Sequence, residues 1–190
     1  MSQKIKLVAK YSILGLAFVL MISACGSKNL TTEPKNTSSP VATPTPSNPY
    51  GAAPIDPPGP NETVLRLQKG SKVLNFTLAT LAKVGTSEIT IEEPFVKETQ
   101  SFTVIPLSTL FDLVGIVPTD KVSTKALNDY VYDNTAEKFL TARGYLAIKR
   151  DGQPIPYDQG GVIRIIFPND SVWSHFLDPW NWSLDSITVK

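Results

Sequence analysis

One cysteine and one histidine are all this 190-residue chain offers of the two side chains that most often hold transition metals. A single thiol excludes an intramolecular disulfide. The lone His175 has no His or Cys partner for a metal site. No Ser–His–acid arrangement stands around it at a recognised spacing either, so a surface or hydrogen-bonded imidazole is expected. An excess of one charge is also missing. The 18 Lys and Arg against 17 Asp and Glu give a net charge of +1. That balance carries no basic stripe of the kind nucleic acid needs. The hydrophobic share of 42% supports a globular core but not several membrane spans.

What is present begins with three zones at the N-terminus. Lys4, Lys6 and Lys10 are the only charged groups in residues 1–24. Without them the remainder carries 15 basic against 17 acidic side chains, near −2. Residues 11–22 are mostly apolar, and Ser23-Ala24 then stand directly before Cys25. A spanning helix needs about 20 apolar residues. This run is shorter, so residues 1–24 read as a signal peptide. Ile22-Ser23-Ala24-Cys25 resembles a bacterial lipobox. That resemblance implies lipidation of Cys25 and an extracytoplasmic protein held to the cell membrane or outer membrane by its N-terminal lipid. Acyl chains worth ~0.8 kcal/mol per buried methylene would make such anchoring effectively permanent.

Residues 26–60 change character. Nine of the 16 prolines lie here with nine Ser or Thr and almost no large apolar side chain. Such a stretch buries too little surface to offset its ordering entropy. Residues 25–60 therefore read as a lipid-anchored, disordered linker, spanning about 110 Å if polyproline-like and about 33 Å as a flexible coil. Residues 61–190 carry a globular pattern long enough for one core.

In that domain, residues 64–68 alternate as a strand, and Lys69-Gly70-Ser71-Lys72 turns the chain into a second strand over 73–76. Thr77 is a candidate N-cap for a short helix carrying Leu78, Leu81 and Ala82, ended by Gly85. Residues 88–92 and 100–105 alternate again, with Ile89, Ile91, Phe102 and Val104 inward. Pro106 fits the first position of a helix. Leu107, Leu110, Phe111 and Val114 follow at helical spacing, with Gly115 as the stop. Further expectations are a strand over 130–132, a helix over 135–142 and a strand over 144–150. Asp151-Gly152 marks a hairpin turn, and Gly160-Gly161 a turn or close backbone approach. The apolar run 162–167, broken only by Arg164, suggests a central strand. Residues 184–189 close the chain with a strand. The sum is a mixed α+β class with a largely β core and short helices.

Several segments, in order, resemble one family. Phe76-Thr77-Leu78-Ala79-Thr80-Leu81 and Val104-Ile105-Pro106-Leu107-Ser108-Thr109-Leu110-Phe111 come first. Arg150-Asp151-Gly152-Gln153-Pro154-Ile155-Pro156 and the Gly160–Pro168 strand follow, then Trp182-Ser183-Leu184-Asp185-Ser186-Ile187-Thr188-Val189. Together they are similar to the oxidoreductase molybdopterin-binding domain, the fold of sulfite oxidase, in its small stand-alone form. The resemblance implies that fold, a possible molybdopterin cofactor, and Arg164 as the residue matching the pterin-phosphate cluster. The catalytic members ligate molybdenum through a cysteine after the strand corresponding to residues 88–92. Here the interval is Glu93-Pro94-Phe95-Val96-Lys97-Glu98-Thr99, and the chain's thiol is outside the domain at Cys25. Val162 stands where the family often has proline, and residues 1–10 lack the arginine pair of a twin-arginine signal.

No catalytic residue and no metal ligand is therefore assigned. Arg164 is a candidate ligand contact, with pairing to an internal acid as the alternative. Trp173, Trp180 and Trp182 form either a platform for a ring ligand or sugar or a cover over the β core. The reading that follows is a non-catalytic module binding an unknown small ligand or an envelope protein. A molybdopterin-dependent oxidoreductase, or a subunit of one, and a structural envelope lipoprotein stand as alternatives.

Overall fold

The computed structural model describes Asn48, Tyr50 and residues 55–190. The signal segment, Cys25 and most of the linker up to residue 54 lie outside the described residues. Among the described residues the architecture is mixed α+β, mostly strands in two sheets with three short helices.

The first sheet starts from a hairpin. β1 (Leu65–Lys69) and β2 (Lys72–Phe76) pair antiparallel, Leu65 opposite Phe76. Leu65 and Leu67 are fully buried while Arg66 is exposed, as the period of two requires. The last strand, β9 (Leu184–Val189), lies parallel to β1 and antiparallel to β5 (Lys121–Ala126). β6 (Val131–Thr135) completes the order β2-β1-β9-β5-β6. The second sheet has the order β3 (Ser87–Glu93), β4 (Glu98–Pro106), β7 (Tyr145–Arg150), β8 (Arg164–Ile166), antiparallel throughout.

Three helices serve this frame. α1 (Leu78–Leu81) is capped by Thr77, whose hydroxyl accepts from the Thr80 N–H while Thr80 answers on the Thr77 N–H. α2 (Leu107–Val114) packs on β1 and β2 of one sheet and on β4 of the other. Its stripe of Leu107, Leu110, Phe111 and Val114 is buried. Gly115 ends it at φ 75°, with the Ile116 N–H returning to the Phe111 carbonyl at 2.9 Å. α3 (Ala136–Thr141) inserts Phe139 into the same core, edge-on to Phe111.

Some expectations are corrected. Pro106 ends β4 and precedes the helix instead of opening it; the Leu107 N–H is taken by the Gly144 carbonyl at 2.9 Å. β6 begins one residue later than expected and runs on to Thr135, which confines α3 to its shorter span. The Asp151-Gly152 turn forms with both residues at positive φ. Only one bridge, Arg150 to Gln153, follows it, because Pro154 and Pro156 have no N–H to donate. The run at 162–167 is not a central strand. β8 has three residues and sits at the sheet edge. It is apolar because residues 168–183 cover its free side. The Ile165 N–H donates to the Asn181 carbonyl and the Leu184 N–H to the Ile163 carbonyl, both at 3.0 Å. The Asn181 amide in turn donates to the Thr124 carbonyl on β5 at 3.0 Å, tying this cover to the first sheet.

Candidate functional site

The site collects where the ends of the second sheet meet the covering segment. Glu93 closes β3, and the short turn that follows projects Phe95. Arg164 opens β8, Arg150 closes β7, and Trp182 lies just before β9.

Arg164 and Glu93 are both completely buried, with guanidinium Nη2 to carboxylate Oε1 at 2.6 Å. The second carboxylate oxygen accepts the backbone N–H groups of Phe95 (2.9 Å) and Val96 (2.7 Å). One acid thus neutralises the arginine and fixes the turn. Of the two partners open to Arg164 from sequence, the fold supplies an internal carboxylate. It does not use the whole guanidinium, however. Nε and Nη1 of Arg164 have no hydrogen-bond partner among the described residues, and neither has Nε1 of Trp182. Buried donors left this way cost ~1–3 kcal/mol each. The Trp182 ring, 4.6 Å from the guanidinium carbon, compensates in part as a cation–π contact.

Two clefts share Trp182 as a wall. One, of about 400 Å³, is lined by Tyr50, Leu127, Tyr157, Asp158, Gly160 and Trp182. The other, of about 350 Å³, runs between Phe95, Asn128, Tyr130, Leu177, Trp180 and Trp182. Gly160 is required here on two counts. Its φ of 80° is left-handed, and a Cβ on it would lie 3.3 Å from Arg164 Nη1. The Gly160 backbone, which lines the cleft, therefore lies close against the buried guanidinium. At Gly161 a Cβ would strike the Ile155 carbonyl oxygen at 2.1 Å, the close approach that the glycine pair suggested. Tyr50, Tyr157 and Tyr130 bring phenols to these clefts. Burial holds the Tyr157 hydroxyl above its ordinary pKa, with Glu62 adding to it; burial and then Asp178 do the same at Tyr130.

The three tryptophans do not share one face. Trp173 packs edge-on to Phe139, Phe167 and Tyr132. Trp180 is buried and donates its indole N–H to the Trp173 carbonyl at 2.8 Å. These two belong mainly to the core cover, and Trp180 also reaches one cleft wall. Trp182 stands apart from that cluster, with Phe95 (4.9 Å between centroids), Tyr50 (5.6 Å) and Arg164. His175 is exposed. Among the described residues no group of three or more His, Cys, Asp and Glu side chains is placed to hold a metal ion.

Sequence reasoning missed Glu93, Phe95, Arg150 and Tyr50. Glu93 continues an alternating strand and reads as a solvated acid; its partner is 71 residues away. Arg150 lies beside the site, its guanidinium carbon 5.8 Å from the Tyr50 ring, and it donates to the Gln159 amide oxygen. The one available signal was the positive charge ending β7 just before the turn. No protein-family model matches this chain, and no match to a curated protein was found.

Proposed function

We propose that this chain is a membrane-anchored extracytoplasmic lipoprotein whose domain, of the sulfite-oxidase-like molybdopterin-binding type, is a non-catalytic module that binds a small ring-bearing anion. One observation carries the reading. A fully buried arginine keeps two N–H groups without acceptors behind Gly160 and Trp182, and Trp182, with a third such donor, is the wall that two clefts share. Buried donors left without an acceptor suit an oxyanion. Aromatic walls suit a ring.

The residues do not fit a molybdenum centre. The turn where the catalytic members place their thiolate is Pro94, Phe95, Val96 and Lys97 here. The buried carboxylate beside it, on Glu93, already serves Arg164 and two backbone N–H groups. Among the described residues no soft ligand stands in the site, so no redox step is assigned to it.

The reading is tested on the purified, processed protein. Molybdenum and pterin are assayed first, and stoichiometric metal with pterin would overturn the non-catalytic assignment. Binding of phenyl phosphate is then followed by tryptophan fluorescence. Trp182→Phe keeps a ring but removes one donor, and about tenfold weaker binding is expected. Equal affinity in that variant would place the ligand elsewhere.

A further inference from the structure

Tyr50 belongs to the segment that the sequence assigns to the linker, yet its ring lies in the site. It stacks on Phe95 at 5.8 Å and 17°, and stands edge-on to Trp182 at 5.6 Å and 86°. The guanidinium carbons of Arg150 and Arg164 are each 5.8 Å from its centroid. Its hydroxyl oxygen accepts from Arg150 Nη1 at 3.4 Å. Two residues earlier, the Asn48 amide donates to the Asp158 carbonyl at 2.7 Å and to its carboxylate at 3.1 Å. Asn48 Oδ1 takes the Tyr50 N–H at 3.0 Å. That closes an Asx turn which aims the phenol at the two arginines.

We infer that Tyr50 is an intramolecular occupant of the ligand site, so that docking of the linker and binding of an external aryl anion exclude each other. This rests on the ligand-binding reading above and adds the ligand's class and its regulation. A phenol is a ring with one oxygen, and it sits among two aromatic faces and two guanidinium groups. An aryl phosphate or aryl carboxylate has the same shape with a full charge and more acceptors. Tyr50 is a weak occupant by comparison. With it in place, Arg164 Nε and Nη1 and Trp182 Nε1 still have no acceptor among the described residues. An external anion can supply those acceptors once the phenol leaves. The coupling is reciprocal, since whatever displaces Tyr50 also releases the linker from the domain.

The test uses the full chain, processed in a bacterial envelope and solubilised in detergent, with phenyl phosphate as the probe and inorganic phosphate as its ringless control. Calorimetry compares the chain with Tyr50→Ala, a change outside both sheets. If the docked form holds about nine-tenths of the population, Tyr50→Ala binds phenyl phosphate about tenfold tighter. Chymotrypsin cleavage after Tyr50 is slow without ligand and accelerates when phenyl phosphate saturates the site. Equal or weaker binding by Tyr50→Ala, or a cleavage rate indifferent to ligand, overturns the occupant role and leaves the ligand-binding reading intact. No binding by either chain overturns both.

Discussion

Replacing Glu93 by glutamine removes one charge from the middle of the site and almost nothing else. The carboxylate oxygens have separate duties: Oε1 faces Arg164, while Oε2 accepts two backbone N–H groups. An amide has one oxygen. Turned toward the backbone, it sets its NH₂ against the guanidinium; turned toward Arg164, it sets NH₂ against the N–H groups of Phe95 and Val96. In both orientations a fully buried arginine loses its neutralising partner. Breaking a buried pair from one side costs about 3–5 kcal/mol, and for a domain of this size the melting temperature falls ~10–15 °C. The check is urea unfolding of the chain, Glu93→Gln, Arg164→Met and the double variant. The double variant should lose only ~1–3 kcal/mol, less than either single, because it leaves no uncompensated charge and only the introduced amide lacks a partner. A loss below about 1 kcal/mol in Glu93→Gln, or a coupling within ~0.3 kcal/mol of zero, would refute the argument that the pair is desolvated.

Two further outcomes are expected. Cys25→Ser should move the processed protein from the membrane fraction to the soluble fraction on fractionation; unchanged retention would rule out the lipid as anchor. Asp120 should shape the acid limb of stability. Its carboxylate is held below its ordinary value of 3.8 first by the hydrogen bond from Lys69, then by the Val117 N–H. A lowered folded-state value means the stabilisation is complete above the ordinary pKa and is lost as pH falls through the folded one. Asp120→Asn should thus flatten the decline of the urea midpoint below about pH 4 and leave its slope near neutrality unchanged; an identical acid limb would contradict this.

Much of the fold is legible wherever a signal is local. The β1–β2 hairpin follows from alternation on both sides of Lys69-Gly70-Ser71-Lys72. The span of α2 follows from four apolar residues at helical spacing and a glycine after them. β5 was missed because Lys121–Ala126 has only Val122 and Ala126 as apolar inward residues; Ser123 and Thr124 are buried with them. Its identity comes from β6 and β9 on either side, and β9 lies far along the chain, Val122 standing opposite Val189. The burial of β8 was legible but its place was not, since a covered edge and a central strand demand the same apolar residues. The site was least legible because its parts come from residues 50, 93, 95, 150, 164 and 182, and none makes a motif with a neighbour. Trp182 stood out as one of three clustered tryptophans, and Arg164 as a charge inside an apolar run.

That charge is also where stability and binding can be set against each other. Apolar groups of similar volume often replace a buried ion pair with no loss, or with a gain of about 1–4 kcal/mol. The Glu93→Gln, Arg164→Met double variant removes both charges together, so a scaffold alone would stay folded, lose only the cost of the introduced amide left facing the methionine, ~1–3 kcal/mol, and keep its other properties. A binding module would not. The same variant removes the guanidinium donors that lie beneath Gly160 and beside Trp182, so a protein that is still folded should lose phenyl phosphate altogether. Folding retained with binding lost identifies Arg164 as a ligand contact held ready by Glu93. Folding and binding both retained would make the pair a packing feature and return the domain to the structural reading.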